Sequence, residues 1–145
     1  MAMSNTINFE QLVQAAGDAI IAADPEGRIL SWNPAAERIF GFAAGEALGQ
    51  TLDLIIPERF RTRHWDGYKQ VMRTGQTKYG ADVLRVPARH KDGRPLSIAF
   101  TVALLSRADG QVEAIAAIVR DETSRWNEER SMRERLRKLE EQQSK

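Results

Sequence analysis

Residues 18–41, DAIIAADPEGRILSWNPAAERIFG, constrain the fold more than any other stretch, because they run a tight hairpin straight into a capped helix. Ala19 to Ala23 is a short apolar run of strand length, Asp24-Pro25-Glu26-Gly27 has the residues of a turn, and Arg28 to Trp32 reads as the returning strand. Asn33 then offers a side-chain oxygen to the free amides of a helix start. Pro34 suits the first helical position, where no backbone donor is needed, and Gly41 can take the left-handed conformation that ends a helix.

The rest of the chain divides at about Tyr79. Before it the pattern is helical: Phe9, Leu12, Val13 and Ala16 recur at helical spacing, Ala43 to Leu48 can make a short turn of helix, and a longer helix runs from about Arg59 to Thr74 and closes at Gly75. After it come runs of strand character, Tyr79 to Arg89, Pro95 to Ser106 and Gln111 to Asp121, separated by the turn signals Lys91-Asp92-Gly93 and Ala108-Asp109-Gly110. With the first hairpin these predict a five-stranded antiparallel sheet and an α+β fold. Along the second run Leu96, Ile98, Phe100, Val102 and Leu104 share one face, and Ser97, Ala99, Thr101, Ala103 and Leu105 share the other. Both faces are expected to be covered. The large face can meet the N-terminal helix or a partner subunit and the small one can leave room for a ligand, or the two assignments can be exchanged.

The order of hairpin, capped helix, short helices and meander resembles a PAS domain, the small sensory module that binds a ligand or cofactor and passes the signal on. Gly45-Glu46-Ala47-Leu48-Gly49-Gln50, Ile56-Pro57-Glu58, the helix from Arg61 to Gly75, Lys91-Asp92-Gly93 and Arg120-Asp121-Glu122-Thr123 carry the resemblance over residues 9–123. It implies a PAS fold with an N-terminal cap helix in residues 1–17, the domain proper in 18–123 and a C-terminal signalling helix in 124–145. That last segment is rich in charge and in good helix formers. Met132, Leu136 and Leu139 fit heptad positions, with Arg125 and Glu129 on the preceding core positions, so it reads either as a solvated charged helix or as a short coiled coil. The N-terminal stripe and this seam lead us to expect a homodimer.

Composition narrows the function. Lys and Arg number 21 against 20 Asp and Glu, and a net charge of +1 gives no global field to attract nucleic acid or an anionic membrane. Without a single Cys, disulfides, thiolate metal sites and thiol nucleophiles are excluded. No apolar run approaches the length of a membrane span and the first residues lack a secretory pattern, so a soluble cytoplasmic protein is expected. No phosphate loop, dinucleotide fingerprint, His-Glu-x-x-His pair or nucleophile elbow occurs. The expectation is a sensor and no enzyme.

His64 is the residue that could carry chemistry, with Tyr68, Val71 and Met72 along or near its helical face. Arg61-Thr62-Arg63-His64 is similar to the segment that holds the proximal iron ligand in the haem-binding PAS domains of oxygen-sensing kinases. That resemblance makes His64 the proximal ligand of a haem and puts Leu84 where those kinases have a distal arginine, with Arg85 one residue away. The other reading makes His64 part of a polar surface patch with Arg61, Arg63 and Asp66. His90, at a turn, is expected to be exposed. The cysteine adduct of light-sensing PAS domains is excluded, whereas a non-covalent flavin, an organic acid or a fatty acid remains compatible with a pocket walled by Leu54, Ile56, Phe60, Val71, Met72, Val83 and Leu104. Asp121 and Thr123, at the end of the last strand, are the expected signalling joint. The competing function is a constitutive dimerisation module whose pocket is filled by its own side chains.

Overall fold

The hairpin and its helix form as the local chemistry dictates. A computed structural model describes residues 6–77 and 80–144. After helix α1 (Phe9–Ala15), strands β1 (Ala19–Ala23) and β2 (Ile29–Trp32) pair antiparallel. The Asp24 carboxylate accepts from the amides of Glu26 and Arg28 at 3.0 and 2.9 Å, and Gly27 turns the chain at a φ of 84°. Helix α2 (Pro34–Phe40) follows, with Asn33 as its N-cap and Gly41 ending it at a φ of 83°. Then come α3 (Ala44–Ala47), 3-10 turns at Leu52–Leu54 and Glu58–Phe60, α4 (Arg61–Thr74), strands β3 (Leu84–Arg89), β4 (Pro95–Ser106) and β5 (Val112–Asp121), and α5 (Thr123–Gln143).

The described strands make one antiparallel sheet in the order β2-β1-β5-β4-β3. The last strand therefore lies in the middle, between the first hairpin and the meander. Strand β3 starts later than the sequence pattern implies. Gly80 takes a φ of 55° in a turn and the ladder opens at Leu84, while Tyr79 lies outside the described residues.

Register decides which side chains face the helices. Ala19, Ile21 and Ala23 oppose Val119, Ala117 and Ile115, which in turn oppose Phe100, Val102 and Leu104. This inner face packs against α2 and α4 in a core with Ile29, Trp32, Phe40 and Tyr68. The large face of β4 thus lies under the helices and the small face of Ala99, Thr101 and Ala103 turns away. Phe40 is fully buried, 5.6 Å from the Trp32 ring, and the Trp32 indole donates to the Phe42 carbonyl at 2.9 Å. Full burial of such a side chain is worth about 1.5–3 kcal/mol.

Asn33 does far more than cap a helix. Its side-chain oxygen accepts from the amides of Ala36 (3.1 Å) and Ile20 (2.9 Å), and its nitrogen donates to the carbonyls of Val13 (2.9 Å) and Asp18 (3.1 Å). One fully buried amide so joins α1, β1 and α2. The apolar stripe of α1 remains largely outside: Phe9 and Leu12 are exposed, and α1 has no buried residue.

Candidate functional site

Two parts of the inner sheet face differ in how well the helices cover them. Around β1 the cover is complete, with Ile21 only 3% exposed. Farther along, Leu84, Phe100, Val102, Leu104 and Ile115 are half-buried and Val86 is 37% exposed, although the register turns them all inward. The long helix α4, whose Tyr68 joins the core with Trp65 and Met72 packed against it, is fastened elsewhere.

Three of those fastenings run to the first hairpin and the 3-10 turn, away from the meander. The Trp65 ring lies over Gly27 so closely that a Cβ there would collide with it, and its indole donates to the Asp53 carboxylate at 2.7 Å. The Tyr68 hydroxyl donates to the Asp24 carbonyl at 2.5 Å. Arg61 donates to the carbonyls of Ile56 (3.1 Å) and Asp53 (3.2 Å). Tyr68 belongs to the core, and burial, followed by the nearby Asp24 and Glu26 charges, pushes its phenol above the ordinary range. Its proton is committed to Asp24, so toward any further group its hydroxyl can only accept.

His64 sits on the flank of this Trp65, Tyr68, Met72 stripe, half-buried, with its ring 4.7 Å from Trp65 and 5.7 Å from Tyr68. Its Nδ1 is buried and has no hydrogen-bond partner among the described residues. Burial lowers the imidazole pKa, partly offset by the Asp53 charge, so the ring is neutral at pH 7. An unpartnered ring nitrogen is a ready donor or acceptor for a bound group. Of the residues expected to share a surface patch with it, Arg61 is engaged with backbone carbonyls, and Arg63 and Asp66 are exposed.

Among the other expected site residues, Leu84 and Leu104 lie on the inner face, opposite Phe100 and Ile115. Arg85 is on the outer face, opposite Ala99, and its guanidinium meets Glu122 at 3.3 Å, so the observed register turns Leu84 inward in its place. Val71 and Met72 are half-buried on α4. Met72 also borders a separate cavity of about 460 Å³ between the end of α4 and the β4–β5 turn, which His64, Leu84 and Leu104 do not line. Val83 is half-exposed ahead of β3 and is poorly placed to wall a pocket. The expectation of an exposed His90 is corrected: its side chain is 14% exposed and packs on Gly41, where a Cβ would come within 2.5 Å of it, and its Nδ1 accepts from the Asp92 amide at 3.1 Å. The missing side chain of Gly41 makes the room that buries it.

Sequence reasoning missed Trp65 and the extra bonds of Asn33. Trp65 pairs with a turn glycine 38 positions earlier, and the one visible signal was a large aromatic beside His64.

At the far end, Asp121 and Thr123 join the sheet to α5. The Thr123 hydroxyl accepts from the Ser97 amide at 3.0 Å and donates to the Asp121 carboxylate at 2.5 Å, which also accepts from the Thr123 amide at 2.9 Å. Glu122 donates its amide to the Ser97 carbonyl at 2.8 Å. Next to them Arg120 grips Asp18 with two bonds of 3.0 Å, tying β5 to the chain just before β1. Among the described residues no group of three or more His, Asp or Glu could hold a metal ion, and no helix is long and apolar enough to cross a membrane.

The described residues thus form an open antiparallel sheet with its last strand central, helices over one face and an exit helix joined at the end of that strand. The chain belongs to the PAS family: the family model described as the PAS fold matches residues 7–121. The sensor protein FixL of Bradyrhizobium diazoefficiens is 33% identical over 87 residues, which are 59% of this chain and 17% of that protein. The oxygen sensor protein DosP of Escherichia coli is 27% identical over 79% of this chain and 14% of its own length. The chain thus spans a small fraction of the curated relatives that it matches. A solved PAS domain from Colwellia psychrerythraea has the same fold, with a TM-score of 0.70 at 21% identity, covering 80% of this chain and 95% of that one.

Proposed function

We propose that this PAS domain senses a small, largely apolar ligand or cofactor held between α4 and the inner face of β3 to β5, with His64 as its polar contact. Two observations support the reading: the buried, unpartnered Nδ1 of His64, and an inner sheet face over β3 to β5 that stays half-covered. A ligand that binds one arrangement of α4 and the sheet better than another shifts their balance by its differential affinity. Strands β4 and β5 then carry the shift to Ser97, Asp121 and Thr123, where α5 begins.

Haem is the cofactor that the resemblance names, and His64, with its pKa lowered by burial and its Nδ1 unpartnered, is the residue that would hold it. When bound, haem iron supplies a coordination site for a diatomic gas. On this chain's side of the chemistry, Leu84 turns inward where a hydrogen-bond donor would be needed to favour oxygen, and Arg85 is held outward by Glu122. The residues therefore suit carbon monoxide better than a lasting oxygen adduct, and Met72, eight residues along the same helix as His64, is not placed to reach the opposite side of the iron.

The test is an absorption spectrum and a native mass spectrum of the purified chain, with and without added haemin. A stoichiometric Soret band that His64→Ala abolishes and His90→Gln retains supports haem at His64. Retention of another apolar small molecule supports the sensor with a different ligand. A colourless protein that retains nothing in either measurement would sink the sensory reading in favour of a constitutive interaction module.

A further inference from the structure

We propose that the cleft between the end of α4 and the β4–β5 turn is a second binding site, one that takes a small organic monocarboxylate. It lies at the end of the sheet away from α5, because the register that opposes Ala23 to Ile115 brings the β1–β2 turn beside the start of β5. Pro25 of that first turn, Met72 and Val112 give it an apolar floor, half-buried or buried, and its volume of about 460 Å³ suits a small molecule. Gly75 and Gly110 also line it, and a Cβ at either would meet nothing within 4 Å, so neither turn fills the space.

Charge decides what fits. Arg73, in the last turn of α4, and Arg107, in the β4–β5 turn, both line the cleft. Neither guanidinium has a carboxylate or ring partner among the described residues, whereas Arg85 and Arg120 each hold a carboxylate. The helix end by itself accounts for a cation at Arg73, since the last carbonyls of α4 carry partial negative charge. It does not account for a second cation brought to the same cleft from another element. Like charges so gathered repel each other until an anion lies between them.

Asp109 is the remaining charged group in the lining, and one of its oxygens already accepts from the Gln111 amide at 3.0 Å. Two guanidiniums against one carboxylate leave an excess of one positive charge. That excess matches a monocarboxylate better than a phosphate dianion, and guanidiniums are well shaped to hold carboxylate oxygens. The floor of Pro25, Met72 and Val112 then receives the apolar body of the ligand.

Benzoate, a monocarboxylate with an apolar ring, is the probe. In an amide NMR titration of the full chain it should shift residues 72–75 and 107–112 together, with a dissociation constant of about 1 mM or below. Arg73→Gln and Arg107→Gln should each weaken binding about tenfold, and Arg89→Gln, the same change at an exposed arginine outside the cleft, should leave it as it was. Asp109→Asn keeps a side-chain oxygen for the Gln111 amide and should tighten binding about threefold by removing the competing charge. Inorganic phosphate should bind more weakly than benzoate. Absence of shifts in the cleft up to about 20 mM benzoate would overturn the site, and so would equal weakening by Arg89→Gln or binding that survives both cleft substitutions. Phosphate bound more tightly than benzoate would overturn the monocarboxylate assignment. His64, Leu84 and Leu104 do not line the cleft, so failure here leaves the reading of a ligand between α4 and the sheet standing.

Discussion

The two halves of the inner sheet face are built from the same kinds of side chain and yet end in different states. Around β1 and α2, Asn33 and the Trp32, Phe40 pair close the layer over Ala19, Ile21 and Ala23. α4, by contrast, is fastened to Gly27, Asp24 and Asp53, and the inner face of β3 and the far part of β4 keeps part of its apolar surface open. The lesson is that cover depends on where the covering helix is tied and not on the apolarity of the strand. The closed half carries the stability, and the open half has surface left for a ligand.

The largest expected effect is on the closed half. Asn33→Ala leaves two amides and two carbonyls without their partners, and should cost about 4 kcal/mol in urea or guanidinium unfolding, well beyond the ordinary loss of a cap. A loss near 1 kcal/mol would mean that water replaces the bonds and that the half is less closed than described. A paired truncation compares the halves directly. Ile21→Ala, in the sealed part, should cost about 3 kcal/mol. Leu104→Ala, on the half-buried part, should cost about 1 kcal/mol in the ligand-free protein. Equal losses would break the comparison.

The smallest effect sharpens it at His64. The folded protein holds the imidazole pKa below its ordinary value, so the unfolded chain binds the proton more tightly. The contribution to stability is whole above the unfolded histidine pKa and falls as the pH drops from there toward the lowered folded value. His64→Leu should flatten the part of the stability profile just below the unfolded histidine value of about 6.5. An unchanged profile in that window would show that the ring is not buried as the structure has it.

Much of the architecture was legible from local pattern. The hairpin, the Asn33 and Gly41 caps, α4 ending at Gly75 and the bounds of β4 follow from turn chemistry and periodicity, which act between near neighbours. His64 drew notice by its position on α4, but its buried and unpartnered Nδ1 depends on Trp65, Tyr68 and Asp53 coming together. His90 was misjudged because a polar residue at a turn is usually exposed, and the space at Gly41 that buries it lies 49 positions earlier.

By itself, then, the sequence determined the elements, their order and the class of fold, because caps, turns and alternation are written within a few residues of where they act. Tertiary structure decided which face of β4 lies inward, that Leu84 and not Arg85 faces the helices, and that one amide holds three elements together. Those outcomes depend on the register between strands and on contacts between residues tens of positions apart. A one-residue slip would reverse the faces without changing any local preference.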